Sequence, residues 1–234
     1  EIYSITMIAV SNNNIKNLKG IEFFTALDSL YCASNQLTSL DVSKNIALTH
    51  LSCFNNPLAT LDVSNNSALT SLWCYNNKLT TLDVSKNPAL TYLSCGNNQL
   101  TSLDVSKNVV LQNLYCYDNK IKGEAMDALV GSLPIRSSAE ISVIDLSNSF
   151  EENVCTTIQV NIAKEKGWSV MAYTGQWLVD YNGSVPSGIQ GITLDKNANM
   201  PVYDLNGSRL KEPRKGINII DGKTVIRKIM TYLK

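Results

Sequence analysis

Leu90-Thr-Tyr-Leu93-Ser-Cys95-Gly-Asn-Asn98-Gln-Leu100 is the clearest copy of a frame that recurs along the first half of the chain. Its inward slots are two Leu and a Cys, with polar or aromatic residues between them and an Asn closing the unit. The Cys marks the copies: Cys32, Cys53, Cys74, Cys95 and Cys116 stand 21 residues apart. No thiol chemistry needs so strict a period. A stacked repeat does, because a unit with an open apolar face is completed only by its neighbour.

Each unit is itself double. The second half reads L-x-x-L-D-V-S-x-N at Leu37–Asn45, Leu58–Asn66, Leu79–Asn87 and Leu100–Asn108. Both halves share the spacing Leu, Leu, then Cys or Val, so each predicts a short strand followed by an Asn-bearing turn. The Leu-x-Cys row is expected to form one parallel sheet and the Leu-Asp-Val row a second, with the apolar side chains between them. Two asparagine ladders follow: Asn35, Asn56, Asn77, Asn98 and Asn119, and Asn45, Asn66, Asn87 and Asn108. A buried amide supplies two donors and an acceptor to turn backbone that would otherwise lie unpaired. The five aligned cysteines are expected to act as small buried hydrophobes. Equivalent positions on coils ~4.8 Å apart project in parallel, which is poor geometry for a disulfide or a tetrahedral metal site. Cys155 stands apart from them, on an expected helix.

This frame is the leucine-rich-repeat pattern L-x-x-L-x-L-x-x-N-x-L, with Cys in the third apolar slot. Residues 1–123 resemble the nested type of bacterial leucine-rich repeat. The segment Gly20-Ile-Glu-Phe-Phe-Thr-Ala-Leu27 resembles the one that opens such arrays, and a short helical turn is expected in it. The resemblance implies a right-handed repeat solenoid, mostly parallel β with short strands on two sides, and a secreted or cell-surface setting. It implies no particular ligand.

Beyond Asn119 the frame breaks. Residues 121–131 read as a helix, 141–146 as a strand, 151–166 as a second helix and 168–173 as a further strand, so 124–175 is expected to continue and cap the stack. Gly, Ser, Asn and Pro then predict a linker at 176–188. Residues 189–234 read as a small all-β module with turns at Asn206-Gly207 and Asp221-Gly222. In that module Val202-Tyr-Asp-Leu-Asn-Gly207, Arg209-Leu210, Lys215-Gly-Ile-Asn-Ile-Ile220 and Gly222-Lys223 resemble the C-terminal sorting domain of type IX secretion substrates. That resemblance implies contact with a secretion machinery, export across an outer membrane and surface attachment.

Within the repeats one strand row is monotonous and the other variable. The monotonous row stacks Asp41, Asp62, Asp83 and Asp104, with Lys44, Lys86 and Lys107 three residues on as expected neutralising partners. A calcium ladder is the sharper alternative, but the glycine-rich spacing of calcium repeats is missing. The variable row carries Tyr31, His50, Phe54, Trp73, Tyr75, Tyr92, Tyr115 and Tyr117 at its outward positions. Strand alternation sends these opposite to the Leu and Cys set. Such a patch is either an interaction site or a cross-strand ladder that only stabilises the sheet.

Charge narrows the function classes. Lys and Arg number 20 and Asp and Glu number 20, so composition gives no basic excess for nucleic acid. No apolar run reaches the ~18 residues of a transmembrane span. The chain opens already inside a repeat, and a preceding segment is expected. His50, the only histidine, has no recognisable nucleophile or relay partner, and phosphate-loop, dinucleotide and zinc spacings are absent. The expected function is therefore non-enzymatic and cofactor-free: a surface or secreted protein presenting its aromatic face to a protein or glycan. A structural spacer is the alternative, and a carboxylate-based hydrolase a distant third.

Overall fold

The structure, a computed structural model, describes residues 4–184 and the backbone of four strands within 202–227. The chain divides into two units, Glu1–Ser184 and Val185–Lys234. The first holds a nine-stranded sheet in chain order: β1 Met7–Ala9, β2 Ser29–Tyr31, β3 His50–Ser52, β4 Ser71–Trp73, β5 Tyr92–Ser94, β6 Asn113–Tyr115, β7 Ala139–Asp145, β8 Trp168–Tyr173 and β9 Leu178–Asp180. Strands β1 to β8 are parallel, and β9 closes the edge antiparallel to β8. Helices α1 Glu124–Ser132 and α2 Thr157–Glu165 lie in the two long crossovers. The second unit contains the antiparallel strands β10 Val202–Tyr203, β11 Arg209–Leu210, β12 Gly216–Ile220 and β13 Lys223–Arg227. The turns expected at 206–207 and 221–222 lie outside the described residues.

The repeat frame maps directly onto burial. The middle residue of each short strand, Leu30, Leu51, Leu72, Leu93 and Leu114, is fully buried, as are the five repeat cysteines and Val42, Val63, Val84 and Val105. All belong to one continuous apolar core that runs on through Met126, Ile141, Val160 and Val170. Burying a Leu side chain is worth about 1.5–3 kcal/mol. The stack gains this in every coil without any coil enclosing its own core.

Asparagine amides tie the coils together. The Asn56 Nδ2 donates to the Cys53 carbonyl at 3.0 Å and to Cys32 of the preceding coil at 3.1 Å, while its Oδ1 accepts the Leu37 N–H at 3.0 Å. Asn35, Asn77, Asn98 and Asn119 repeat the arrangement. The ladder continues past the point where the frame breaks: Asn153 accepts the Ile121 N–H at 2.7 Å and donates to Cys116 and Val143. The second ladder works differently. Asn66, Asn87 and Asn108 donate to Val and Asn carbonyls of the preceding coil, but their Oδ1 atoms meet no donor among the described residues.

Several expectations change. The Leu-Asp-Val row stacks against the core but is not a second sheet; among the described residues its only ladder contact is the Asp41–Asp62 bridge. Its backbone is engaged elsewhere. Each Asp41, Asp62, Asp83 and Asp104 Oδ1 accepts the N–H of the Ser two residues on, at 2.8–2.9 Å, and the Val carbonyls receive the Asn donors. The aspartates are therefore held by these turns and not by ion pairs with Lys44, Lys86 and Lys107. The two ion pairs among the described residues join Lys120 and Lys122 to Glu152.

Helix α2 begins at Thr157, six residues later than expected. Thr156 and Gln159 form a reciprocal capping box that sets the start. Glu151 to Cys155 instead form an irregular segment that carries the ladder residue Asn153, so Cys155 precedes the helix and is buried beside the repeat core. Gly167 ends α2 with φ +83, and a Cβ there would overlap the Arg136 carbonyl at 1.6 Å. Strand β9 and the bonds from Ser184 to Cys155 and Thr157 fall inside the stretch read as a 176–188 linker, so the first unit runs at least to Ser184.

Replacing Asn77 with Ala removes four such bonds and should lower unfolding stability by about 1–3 kcal/mol in a denaturant titration. All six cysteines are free and buried, and desolvation pushes Cys32, Cys95 and Cys155 up to about 12. A thiol-specific reagent at pH 8 should therefore label none of the six in the folded protein and all six in denaturant.

Candidate binding face

The three-residue strands place their first and third residues outward and the second inward. The sheet register then aligns two outward rows. Ser29, His50, Ser71, Tyr92, Asn113 and Glu140 form the first; Tyr31, Ser52, Trp73, Ser94, Tyr115 and Ser142 form the second. Large and small side chains alternate between the rows. Each of β2 to β6 pairs one larger outward group with a Ser or Asn, so no ring faces a ring directly across a strand pair.

Rings meet diagonally instead. His50 stacks near Trp73 with centroids 6.4 Å apart, Trp73 tilts against Tyr92 at 5.1 Å and 39°, and Tyr92 tilts against Tyr115 at 5.4 Å and 45°. The line ends on a carboxylate: the Tyr115 hydroxyl donates to Glu140 Oε1 at 2.7 Å. At the other end the Thr49 hydroxyl lies 3.1 Å from the Asp28 carbonyl and 2.8 Å from His50 Nδ1. The hydroxyl has one proton for these two contacts, so the donor between Thr49 and His50 depends on the ring tautomer.

A second line runs just past the cysteines, through Ala33, Phe54, Tyr75, Gly96 and Tyr117. Phe54 stacks on Tyr75 at 4.4 Å and 10°, and Tyr117 stacks on Tyr173 at 5.0 Å and 17°. Gly96 interrupts the line because Tyr117 leans over it; a Cβ there would lie 3.2 Å from the Tyr117 ring. All eight residues expected on this face are half-buried there. Seven of them join ring contacts. Tyr31 is in register with Ser52 and sits two strands from Trp73. Sequence reading missed Glu140 and Tyr173, which reach the face only after crossovers too irregular for the 21-residue period.

Burial is the first cause that raises the hydroxyl pKa values of Tyr75, Tyr92 and Tyr115, with the Glu140 carboxylate adding to it at Tyr115; burial pushes Tyr117 up to about 12. The hydroxyls therefore remain donors at neutral pH. Beside Tyr117 lies an acidic junction. Glu151 Oε2 accepts the N–H groups of Asp118 and Asp145 at 2.8 and 2.7 Å, and Asn148 Nδ2 donates to Asp118 at 2.7 Å. No cluster of three His, Cys, Asp or Glu suited to a metal ion occurs among the described residues. A shallow cleft lined by Leu82, Asp83, Leu103, Asp104 and Lys107 lies on the Asp-bearing row, away from this face.

A family description of leucine-rich repeats in two copies matches residues 67–108. The first unit is a leucine-rich repeat solenoid. Among solved structures, a leucine-rich repeat protein of Leptospira interrogans is similar at 24% identity and a TM-score of 0.55, covering 72% of this chain and 42% of that one. The leucine-rich repeat domain of APL1B is similar at 17% identity and a TM-score of 0.54, covering 70% and 53%. The functional domain of InlJ from Listeria monocytogenes, described as including a cysteine ladder, is 29% identical with a TM-score of 0.41, covering 70% and 48%. The chain thus spans about half the length of these structures or less. No curated protein matches it in sequence.

Burial raises the Asp118 and Glu151 carboxyls, so folding favours their protonated forms. Their stabilising contribution is complete below the unfolded carboxylate range, about pH 4, and is lost as pH rises through the folded values. The Asp41, Asp62 and Asp83 carboxyls are held low by their Ser hydrogen bonds, and their contribution is lost in the opposite direction, as pH falls. Intrinsic-rate-corrected hydrogen exchange at the Asp118 and Asp145 amides should therefore quicken as pH rises above about 4, relative to the central repeats. Glu151→Gln should flatten that difference.

Proposed function

We propose that this protein is a non-enzymatic binding module whose outward sheet face, from Tyr31 to Tyr117, engages a protein or glycan partner. One observation carries the reading: the sheet's variable residues are aromatic and share a single face, while the opposite side repeats Leu-Asp-Val-Ser almost unchanged. Leucine-rich repeat solenoids typically serve as interaction modules, and their stacked strands form extended binding surfaces. Tyr and Trp offer large contact area with a polar handle, and half-buried rings are already ordered, which lowers the entropy cost of association. A secreted or outer-surface location fits the repeat type, and the sorting-domain resemblance of 189–234 fits contact with a secretion machinery.

A second reading, the structural spacer, draws on the ring-to-ring contacts themselves. Cross-strand aromatic pairs stabilise a sheet by roughly 0.2–1 kcal/mol each without any partner. The two readings part in one experiment. Ligands selected by the intact protein from a displayed peptide library and a glycan array should be lost on Trp73→Ala/Tyr75→Ala, with the far-ultraviolet circular dichroism unchanged. Undiminished binding by the folded double variant removes the face from the reading. A protein that selects no ligand and loses only stability in the variant is a spacer.

A further inference from the structure

We propose that the sheet face is selective for a cationic polypeptide, one that lays Arg or Lys side chains on the aromatic zigzag; this rests on the sheet-face reading above. Charge segregation is the first support. The strand segments 28–34, 49–55, 70–76, 91–97, 112–118, 139–145 and 168–174 contain no Lys or Arg, although the chain holds 20. The same segments contain Asp28, Asp118, Glu140 and Asp145. An overall neutral chain thus gives these segments acidic side chains and no Lys or Arg; Asp28, Asp118 and Glu140 are half-buried there and Asp145 is buried.

Cations near the capped end are turned to other work. Arg136 donates to the Leu111 carbonyl at 3.0 Å and to that of Val109, and Lys166 donates to the Leu133 carbonyl at 2.9 Å and to that of Gly131. Lys164 is bonded to Asn182, and Lys120 and Lys122 pair with Glu152. Glu140 pairs with no cation among the described residues; the one hydrogen bond to its carboxylate there comes from Tyr115.

Ring geometry is the second support. Tilts of 39° and 45° along Trp73, Tyr92 and Tyr115 keep these rings from stacking face against face, and all three are only half-buried, so their π-faces are not closed by one another. Those faces carry the negative lobe of the ring quadrupole and attract cations. A guanidinium on the Tyr115 ring would lie next to the carboxylate that the Tyr115 hydroxyl holds in place, and an Arg fork suits stacking and carboxylate contact together. A neutral glycan would use the rings but gain nothing from the missing cations. An acidic partner would meet only like charge.

The test uses the full chain and fluorescein-labelled decapeptides of alternating Gly with Arg, citrulline or Glu, read by anisotropy in 50 mM salt, with cellohexaose as the neutral glycan. The Arg peptide should bind about tenfold or more tighter than the citrulline peptide, in keeping with desolvated cation–π contacts, and the Glu peptide should not bind. Glu140→Gln should weaken the Arg peptide about fivefold. Trp73→Ala/Tyr92→Ala should abolish its binding, and Asp62→Asn/Asp83→Asn, on the opposite side, should leave it unchanged. Glu140→Gln preserves side-chain shape and keeps the test decisive if the double variant does not fold. Equal Arg and citrulline affinities, both lost in Trp73→Ala/Tyr92→Ala, overturn the charge selectivity while sustaining the face as a binding surface. Binding of cellohexaose without the Arg peptide does the same. Arg-peptide binding lost only in the Asp62/Asp83 variant, or no binding by any probe, overturns the proposal.

Discussion

The buried asparagine amide that closes each coil onto the one before it governs the rest of the structure. A three-residue strand offers few ladder bonds, and a solenoid of such strands leaves most turn backbone buried. Asn35, Asn56, Asn77, Asn98 and Asn119 supply the missing partners, reaching across coils to the residue that precedes or follows each cysteine turn. Because every amide bonds to equivalent atoms, every coil has the same register. The neighbouring turn residues Ser34, Asn55, Asn76, Asn97 and Asp118 all take a left-handed conformation with φ between 49 and 53. Asn and Asp tolerate that region better than other residues with a Cβ. Asn55, Asn76 and Asn97 also bond side chain to side chain along the surface.

Constant register is what turns scattered aromatics into a face. If coils slipped by one residue, the Leu row would point outward and the rings inward. Held in register, the outward positions alternate large and small on successive strands, and the rings interlock diagonally with serines filling the spaces between. The same regularity explains the buried thiols. Cysteine fits a small apolar slot next to the amide, and burial keeps it protonated and inert.

Much of this was legible in the chain. Cys spacing counted the coils, Leu and Val spacing identified the core, and alternation assigned all eight aromatic residues to the exposed side. Three features were not legible for physical reasons. The Leu-Asp-Val row has strand-like spacing, but aspartate side chains capture the backbone donors two residues on, and periodicity cannot report which acceptor wins. The continuation of the ladder by Asn153 was hidden because a helical crossover separates it from Asn119. Glu140 and Tyr173 joined the face through strand pairing across insertions of unequal length.

Sequence alone determined the repeat, the inward residues and the polarity of the outward ones, since each follows from period-2 alternation and a strict 21-residue spacing. Tertiary structure decided which outward residues touch. Diagonal contacts such as Trp73 with Tyr92, and the carboxylate at the end of that line, depend on register, tilt and crossover geometry. These are properties of neighbouring coils packed together, and no single repeat encodes them.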